Sequence, residues 1–301
     1  MNRKLTAAAA AVMLTACIVL DSRFTLETTE YSARFDDLPP EFDGFRIAVL
    51  SDLHGMSFGK DNSRLVRAVS DAKPDMIAIL GDMITYPSDL PAFESLLDGI
   101  EGIAPIYCIN GNHEWAAHCV DKVRELALSH GAHFLSNAYE PLYCGSSRII
   151  VCGAEDKNGR ADMETPPELA ARLRGEYPDD FVLWLYHRND TLTGFPGLPV
   201  DLVLSGHAHG GIVRLPFIGG LLDVHRKLGA EYEKGMYEEN NTVMIVSRGL
   251  GNSIVVPRFL NRPELVCVTL KTSDLYAVIY LPRGAYIGCM LTKQEVHHGY
   301  R

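Results

Sequence analysis

The chain has 301 residues, a hydrophobic content of 47% and a formal net charge of −10 at pH 7. This length suits one large α/β domain or two small ones, and because no linker-like stretch divides the chain, we expect one domain behind an N-terminal leader. The negative charge argues against a nucleic-acid partner, since phosphate backbones are bound by basic surfaces. A phosphorylated substrate is not excluded, because bound divalent cations can reverse the local potential.

The N-terminal segment, residues 1–23, has the pattern of a signal peptide or a membrane anchor. A basic start, Asn2-Arg3-Lys4, precedes an apolar run over residues 5–20, which is nearer in length to a signal-peptide core than to the roughly 20 residues of a full span. Leu14-Thr15-Ala16-Cys17 resembles a bacterial lipobox with lipidation at Cys17, whereas the apolar residues 18–20 favour an uncleaved anchor. The basic start predicts that the following domain lies on the extracytoplasmic side of the bacterial cell membrane, with the cytoplasmic face as the alternative.

Strand-like and helix-like patterns alternate in the next part of the chain, after a predicted connecting segment over residues 24–44. Continuous apolar runs predict strands over residues 45–50, 76–80, 105–109 and 181–186. Helical spacing of apolar residues predicts helices over residues 61–72, 92–100, 118–130 and 164–173. Strands separated by helices of this length indicate βαβ units and a parallel sheet.

The pattern changes beyond the strand-like run over residues 201–204, where short strand-like runs alternate with turns. These runs cover residues 212–215, 243–246, 265–270 and 276–281. Because no helical pattern separates them, we expect antiparallel strands that complete a second sheet. The predicted fold is therefore an α/β four-layer αββα sandwich of two mixed sheets flanked by helices, over residues 45–285, with residues 286–301 as a C-terminal tail.

The cysteines exclude some kinds of site and leave others open. Beyond Cys17 there are six, and none forms a CxxC pair, so a zinc knuckle or a thioredoxin-like motif is not expected. Cys108, Cys152 and Cys267 lie in apolar strand-like runs, which is typical of buried free thiols. A disulfide in an exported domain stays open, because the sequence does not select a pairing.

Five short motifs with metal-ligand side chains follow one another along the chain. They are Asp52-Leu53-His54, Gly81-Asp82, Gly111-Asn112-His113-Glu114, His187 and Gly206-His207-Ala208-His209-Gly210-Gly211. Most of them follow the end of a predicted strand, and open α/β sheets hold their active sites at that edge. Carboxylate, amide and imidazole groups without cysteine suit a pair of Mn²⁺, Fe²⁺ or Zn²⁺ ions better than one structural zinc.

The spacing within the motifs supports this interpretation, although each motif alone has an ordinary explanation. Asp52 and His54 are two residues apart, so on an extended chain both side chains project to the same side. Asp82, at the end of the neighbouring predicted strand, would lie beside Asp52 and could bridge two ions. Taken singly, Gly-Asp is common in turns, Asn112 could cap a helix, and Glu114 could favour a helix dipole. The ordered combination favours a site.

In this order the motifs resemble the calcineurin-like metallophosphoesterases, and the resemblance covers roughly residues 45–270. Residues 232–235 (Tyr-Glu-Lys-Gly), 246–251 (Val-Ser-Arg-Gly-Leu-Gly) and 262–264 (Arg-Pro-Glu) are further similar to the membrane-associated bacterial branch of that family. This branch includes exported phosphodiesterases and enzymes that cleave the pyrophosphate of UDP-2,3-diacylglucosamine.

The resemblance implies two divalent metal ions and a role for each matching residue. One ion would be held by Asp52, His54, Asp82 and His209, and the other by Asp82, Asn112, His187 and His207, with Asp82 bridging. His113 would be a catalytic histidine that binds no metal and faces the phosphate and its leaving group. The Asp82 loop lacks the downstream Asp-Arg of the phosphoprotein phosphatases. This departure argues against a protein-phosphatase role and leaves the partner that orients His113 unassigned.

The implied substrate is a phosphodiester or a pyrophosphate, and the leader favours a lipid-linked or cell-envelope molecule such as a UDP-2,3-diacylglucosamine-like compound. A general phosphodiesterase acting on cell-wall polymer or glycerophosphodiesters, a non-catalytic metal-binding envelope protein and a metal-dependent amidase are the alternatives. We expect a monomer. Arg188 is predicted to contact substrate or to be solvated, and Arg248 to contact substrate or to form a structural salt bridge. The apolar residues 215–222 could contact acyl chains or the membrane, or pack in the core.

Overall fold

The computed structural model describes residues 3–221, 231–253 and 256–273. Its helices are α1 (Arg3–Phe24), α2 (Ser63–Ala72), α3 (Leu90–Ile100), α4 (Asn112–Ala116), α5 (Val120–Ser129), α6 (Pro166–Glu176) and α7 (Thr191–Gly194). Its strands are β1 (Glu27–Phe35), β2 (Arg46–Leu50), β3 (Met76–Ile79), β4 (Ile106–Cys108), β5 (His133–Phe134), β6 (Ala138–Cys144), β7 (Ser147–Ala154), β8 (Val182–Tyr186), β9 (Leu202–Ser205), β10 (Arg214–Leu215), β11 (Gly219–Gly220), β12 (Gly235–Glu239), β13 (Thr242–Val246) and β14 (Glu264–Thr272).

Two mixed six-stranded sheets form the centre of the molecule. The first has the order β1-β14-β2-β3-β4-β5, and β2 to β5 are parallel. The second has the order β12-β13-β9-β8-β7-β6, and its four central strands are parallel while the edge strands β12 and β6 are antiparallel to their neighbours. The prediction of two mixed sheets is confirmed.

Helices cover the outer face of each sheet, so the molecule has four layers. Side chains alternate along each strand: Ile47 and Val49 of β2 pack against the second sheet, while Ala48 and Leu50 pack under α2, α3 and α5. On the far side, α6 covers the second sheet through Leu169 and Leu173. Strands buried on both faces need continuous apolar runs, which is why the central strands are visible in the sequence. The predicted αββα sandwich is confirmed.

The prediction for residues 24–44 is wrong in one respect, because this segment contains a strand of the sheet. β1 pairs in parallel with β14 along its full length, from Glu27 opposite Glu264 to Phe35 opposite Thr272. It is an edge strand whose alternate residues are exposed. The exposed residues include Thr28, Glu30 and Ser32. A polar edge strand lacks the apolar run on which the prediction depended.

Strands in the last third of the chain also differ from the expected antiparallel set. β13 runs parallel to β9, and β14 returns to the first sheet, where it is antiparallel to β2. The run 212–215 yields only the two-residue β10, which forms a hairpin with β11 outside both sheets. The predicted strand 276–281 and the tail 286–301 lie outside the described residues.

The N-terminal helix α1 differs from the rest of the fold in being almost uncovered. Its Thr6–Phe24 part is long and apolar enough to cross a membrane, and 6% of the most apolar stretch is buried against the protein. A signal sequence has the same length and composition, so both alternatives for the leader are consistent with this helix. Cys108, Cys152 and Cys267 are buried free thiols, as predicted.

Candidate metal centre

All seven predicted ligands meet at one edge of the molecule, where the carboxyl ends of parallel strands from both sheets come together. Strands β2, β3 and β4 of the first sheet are followed by Asp52 and His54, by Asp82, and by Asn112, respectively. Strands β8 and β9 of the second sheet are followed by His187 and by His207 and His209. The position of these residues after the strands is therefore what brings them together.

The ligand atoms form two clusters that face each other across Asp82. In the first, His209 Nε2 lies 3.5 Å from Asp52 Oδ1, and His54 Nε2 lies 3.9 Å from the same oxygen. In the second, His187 Nε2 lies 3.1 Å from Asp82 Oδ2 and 3.2 Å from His207 Nδ1. Asp82 Oδ2 is also 3.8 Å from His54 Nε2, so one carboxylate reaches both clusters.

The side chain of Asn112 supplies the observation that best fits a metal ion. Its Oδ1 atom is buried, and no described group donates a hydrogen bond to it. A buried amide oxygen without a partner costs free energy, and a divalent cation would satisfy it. Three carboxylate or amide residues and four histidines form a donor set that could hold two divalent cations.

The backbone at the ligands is in a conformation that side chains rarely adopt. Asp52, His54, Asp82, His207 and His209 all have positive φ angles, between 48° and 67°. For non-glycine residues this backbone conformation is strained, and strained residues cluster at functional sites. Gly206 is required for a different reason, namely space. A Cβ at this position would lie 1.9 Å from Ser51 Oγ and 2.5 Å from Asp52 Oδ2. Close approach of the two sheets at this point requires glycine.

Hydrogen bonds behind the ligands fix their orientation. Ser51 Oγ donates to Asp52 Oδ2 at 2.6 Å, and His187 Nδ1 lies 2.8 Å from the carbonyl oxygen of Leu80, which leaves Nε2 facing Asp82. His54 Nδ1 lies 2.9 Å from Thr85 Oγ1. Such outer contacts set the ring tautomer and hold imidazoles ready to bind a metal.

Glu114 organises the loop that carries the bridging aspartate. Its buried carboxylate accepts hydrogen bonds from the backbone N–H groups of Asp82, Met83, Ile84 and Gly111, at 2.7–3.3 Å. Burial, together with the nearby charge of Asp82, raises the pKa of Glu114 to about 7. The sequence suggested only a favourable helix dipole for Glu114. Its hydrogen bonds to residues about thirty positions earlier in the chain connect the turn after β4 to the turn after β3.

Burial shapes the protonation of the imidazoles. It lowers the pKa of His54 and His207 well below the ordinary value, and the pKa of His209 to a lesser degree, so all three favour the neutral form that binds metal. Burial also opposes a proton on His187, but the carboxylates of Asp82, Asp52 and Asp156 raise its pKa to about 10. A cation beside Asp82 would take the place of that proton.

His113 sits at the rim of the centre. A quarter of its side chain is exposed, and its Nε2 lies 4.0 Å from Asp82 Oδ2. Its ring packs edge-on against the ring of His54, with centroids 4.8 Å apart, and its backbone N–H donates to Asp82 Oδ1 at 2.7 Å. It lines a cavity of about 140 Å³ together with Asp82, Asn112, His207, His209, Ile212, Asn252 and Ser253.

Arg188 is neither solvated nor free to move. Its guanidinium forms a bidentate pair with Asp156, at 2.7 and 3.0 Å, and is buried. The remaining nitrogen, Nη1, lies 3.3 Å from His207 Nε2. The alternative of a solvated side chain is therefore wrong, and contact of Arg188 with substrate stays a prediction.

Arg248 lies in a buried salt bridge, which was the second alternative for this residue. Its Nη2 is 2.9 Å from Glu264 Oε1 and 3.1 Å from Glu27 Oε2, and its own side chain is 6% exposed. These contacts join β1 and β14 to the loop after β13. Both contacts are made by Nη2, whereas the buried Nε of Arg248 has no hydrogen-bond partner among the described residues.

Replacing Arg248 by methionine is expected to lower the free energy of unfolding by about 3 kcal/mol, because Glu264 would remain buried and unpaired. Urea unfolding would measure the loss, and Arg148→Met, which removes an exposed pair with Asp180, should have a much smaller effect. The KM for substrate should not change. A raised KM with unaltered stability would identify Arg248 as a substrate contact instead.

Several groups around the centre were not predicted from the sequence. Asp156 follows the carboxyl end of β7, a parallel strand, so its position carried the same signal as the ligands. Arg258 Nη2 lies 3.4 Å from His209 Nδ1, and Asn261 Nδ2 donates to the carbonyl oxygen of His209 at 2.7 Å. Both lie in an irregular loop about fifty residues from His209, where no pattern marked them.

An αββα sandwich with two clusters of possible ligands around a shared carboxylate fits a metal-dependent phosphoesterase. In agreement, the family model for calcineurin-like phosphoesterases matches residues 45–211, more than half of the 301 residues. The protein belongs to the calcineurin-like phosphoesterase family. Members of this family use divalent metal ions to hydrolyse phosphoesters.

Curated relatives support the assignment over most of the chain. The protein is similar to the uncharacterised metallophosphoesterase YkuE of Bacillus subtilis, with 32% identity over 83% of this chain and 87% of YkuE. It is similar to the phosphodiesterase YaeI of Escherichia coli, with 27% identity over 75% of this chain and 82% of YaeI. A transmembrane protein with a metallophosphoesterase domain from Danio rerio is 25% identical over 78% of this chain and 55% of that protein.

Proposed function

We propose that the protein is a dinuclear-metal hydrolase of phosphodiester or pyrophosphate bonds, with a lipid-linked or cell-envelope substrate such as a UDP-2,3-diacylglucosamine-like molecule. The observation that carries this proposal is a series of three overlapping groups of possible ligands beside the unpartnered Oδ1 of Asn112. The groups are Asp52, His54 and His209; His54, Asp82 and His113; and Asp82, His187 and His207. The apolar helix α1 and the transmembrane relative support a membrane-associated protein, and the basic N-terminus supports an extracytoplasmic domain.

The positions of the residues support the following roles. Asp52, His54, Asp82 and His209 would hold one divalent ion, and Asp82, Asn112, His187 and His207 the other. Two such ions bound together lower the pKa of a coordinated water and offset the charge of the phosphate oxygens. His113 lines the cavity within reach of His54 and Asp82, and we assign it the transfer of a proton to the departing alkoxide rather than the binding of a metal ion.

Hydrolysis of diesters rather than monoesters is favoured by the relative YaeI, which is named a phosphodiesterase. The test is a screen of the full chain in detergent, with Mn²⁺, against bis-p-nitrophenyl phosphate, glycerophosphodiesters, nucleotide-sugar lipids, phosphomonoesters and amides. Turnover of diesters or pyrophosphates well above that of monoesters is expected. Release of amines, or no turnover of any compound, would contradict the proposal.

Removal of metal is expected to lower both activity and thermal stability. The ligands are buried polar groups that a cation satisfies, and a ligand present at a hundredfold excess over its Kd stabilises the folded state by about 2.7 kcal/mol. For a chain of this size that amounts to several degrees in Tm. Differential scanning fluorimetry in EDTA, followed by addition of Mn²⁺, would measure the shift. Asp82→Ala should respond much less to Mn²⁺; an equal response would argue against Asp82 as a ligand.

A further inference from the structure

The chain enters the domain at the same edge that holds the metal centre. β1 begins at Glu27, which lies opposite Glu264 of β14, and two residues later in β14 Val266 lies opposite Val49 of β2. Asp52 follows β2 directly. The end of α1, immediately before β1, is therefore at the metal-site edge of the first sheet.

Specific contacts fix the end of α1 at that edge. Asp21 forms a bidentate pair with Arg262, at 2.8 and 3.1 Å, and Ser22 is fully buried, with its hydroxyl 3.4 Å from the backbone nitrogen of Asn261. Asn261 in turn donates to the carbonyl oxygens of His209 and Ile212. One residue thus connects the end of the apolar helix to the loop that carries a metal ligand.

Large apolar side chains protrude into solvent close to this junction. Phe217, at the tip of the β10–β11 hairpin, is fully exposed, and Ile218 beside it is 68% exposed. Leu260, 44% exposed, lies in the loop whose Phe259 accepts a hydrogen bond from the backbone of Arg214 in β10. We call Phe217, Ile218 and Leu260 the apolar rim. Phe217 also has a φ of 67°, an unfavourable backbone conformation for a bulky residue.

The hairpin that carries Phe217 and Ile218 is joined at its base to the cavity of the metal centre. Ile212, at the base of the hairpin, lines the cavity that contains His113. A second cavity, of about 120 Å³, lies between Arg23 at the end of α1 and Arg258, and it shares Asn252 with the first. A helix long and apolar enough to span a bilayer, exposed apolar side chains and a cationic residue therefore lie at the same end of the molecule as the metal centre. This is the composition of a surface that binds lipid.

We infer that the apolar rim enters the headgroup region of the bilayer next to α1 and holds the opening of the metal centre at the membrane surface. The occupant of this surface is a lipid bilayer. The inference rests on the proposed function and makes its substrate class more specific. A phosphoester attached to a lipid would reach the metal centre without leaving the membrane. Its test does not depend on turnover.

The test places single tryptophans in the full chain, in vesicles of phosphatidylethanolamine and phosphatidylglycerol with or without brominated acyl chains. Phe217→Trp probes the apolar rim and Val12→Trp the exposed face of α1. Tyr143→Trp is the matched control, because Tyr143 is 62% exposed and pairs with Arg148 at the start of β7, opposite to the strand ends that carry the ligands. The parent chain, with its two tryptophans, gives the background.

We expect the emission of the tryptophan at position 217 to shift to the blue and to be largely quenched by brominated lipid, as at position 12, while position 143 stays unquenched. Quenching at position 12 without quenching at 217 would overturn the inference, as would absence of quenching at both. A blue shift at 217 that persists in detergent and is insensitive to bromine would indicate a second copy of the chain as the partner, and would also overturn it. Each of these failures would leave the proposed hydrolysis untouched.

Discussion

Replacing Asp82 by alanine is expected to reduce metal-dependent hydrolysis of bis-p-nitrophenyl phosphate about a thousandfold or more, which corresponds to about 4 kcal/mol of transition-state stabilisation. Asp82 is the carboxylate that reaches both ligand clusters, with Oδ2 3.1 Å from His187 Nε2 and 3.8 Å from His54 Nε2. Its loss removes a ligand from both proposed ions and also the acceptor for the backbone N–H of His113. The turnover number with Mn²⁺ and the metal content after gel filtration would measure the two effects.

His113→Ala separates metal binding from proton transfer. His113 belongs to neither four-residue ligand set, and its partly exposed ring faces the cavity. We expect this variant to keep its metal content and to lose about two to four powers of ten in kcat, the range typical of general acid catalysis. The loss should be smaller for substrates with a good leaving group, such as p-nitrophenolate, than for alkyl diesters. Equal loss of metal in the Asp82 and His113 variants would refute the assigned roles.

Replacing Glu114 by alanine is expected to lower the free energy of unfolding by about 4 kcal/mol, because four backbone N–H groups lose a buried charged acceptor. Urea unfolding at pH 8, above the raised pKa of about 7, would compare chains in which the carboxylate is ionised. Because these bonds set the conformation of Asp82, the variant should also bind Mn²⁺ more weakly.

Glu168→Ala provides the control for this experiment. Glu168 accepts hydrogen bonds from the backbone N–H and the hydroxyl of Thr165 at the start of α6, the same local arrangement that Glu114 makes at α4. Glu168 is exposed and, among the described residues, accepts hydrogen bonds only from Thr165, so water can replace it. Its removal should have a much smaller effect on stability and none on metal binding. Similar losses in both variants would mean that Glu114 acts only as a helix cap.

The sequence was sufficient to predict the central sheets and the meeting of the candidate metal ligands at one edge, for one physical reason. Strands buried on both faces are continuous apolar runs, and the residues that follow parallel strands share an edge of the sheet. Asp52, Asp82 and His207 could therefore be placed together although they are far apart in the chain. The ordered set of motifs then identified the family that the comparison with known proteins confirmed.

What the sequence did not reveal depends on contacts between distant segments. β1 is a polar edge strand, and its partner β14 lies more than 230 residues later, so no local pattern indicated the pairing. Glu114 resembled a residue that favours a helix dipole, yet its bonds reach the turn after β3. The sequence also did not show that Arg188 and Arg248 form ion pairs with the buried carboxylates of Asp156 and Glu264.

The origin of the ligands in two different sheets has a mechanical consequence. Asp52 and His54 leave the first sheet, whereas His209 leaves the second, about 155 residues further along the chain. An ion shared by such residues is a cross-link between the two halves of the sandwich, comparable in topology to a disulfide that closes a very long loop. The two sheets could not separate while both ions were bound, so the proposed catalytic ions would also stabilise the tertiary structure.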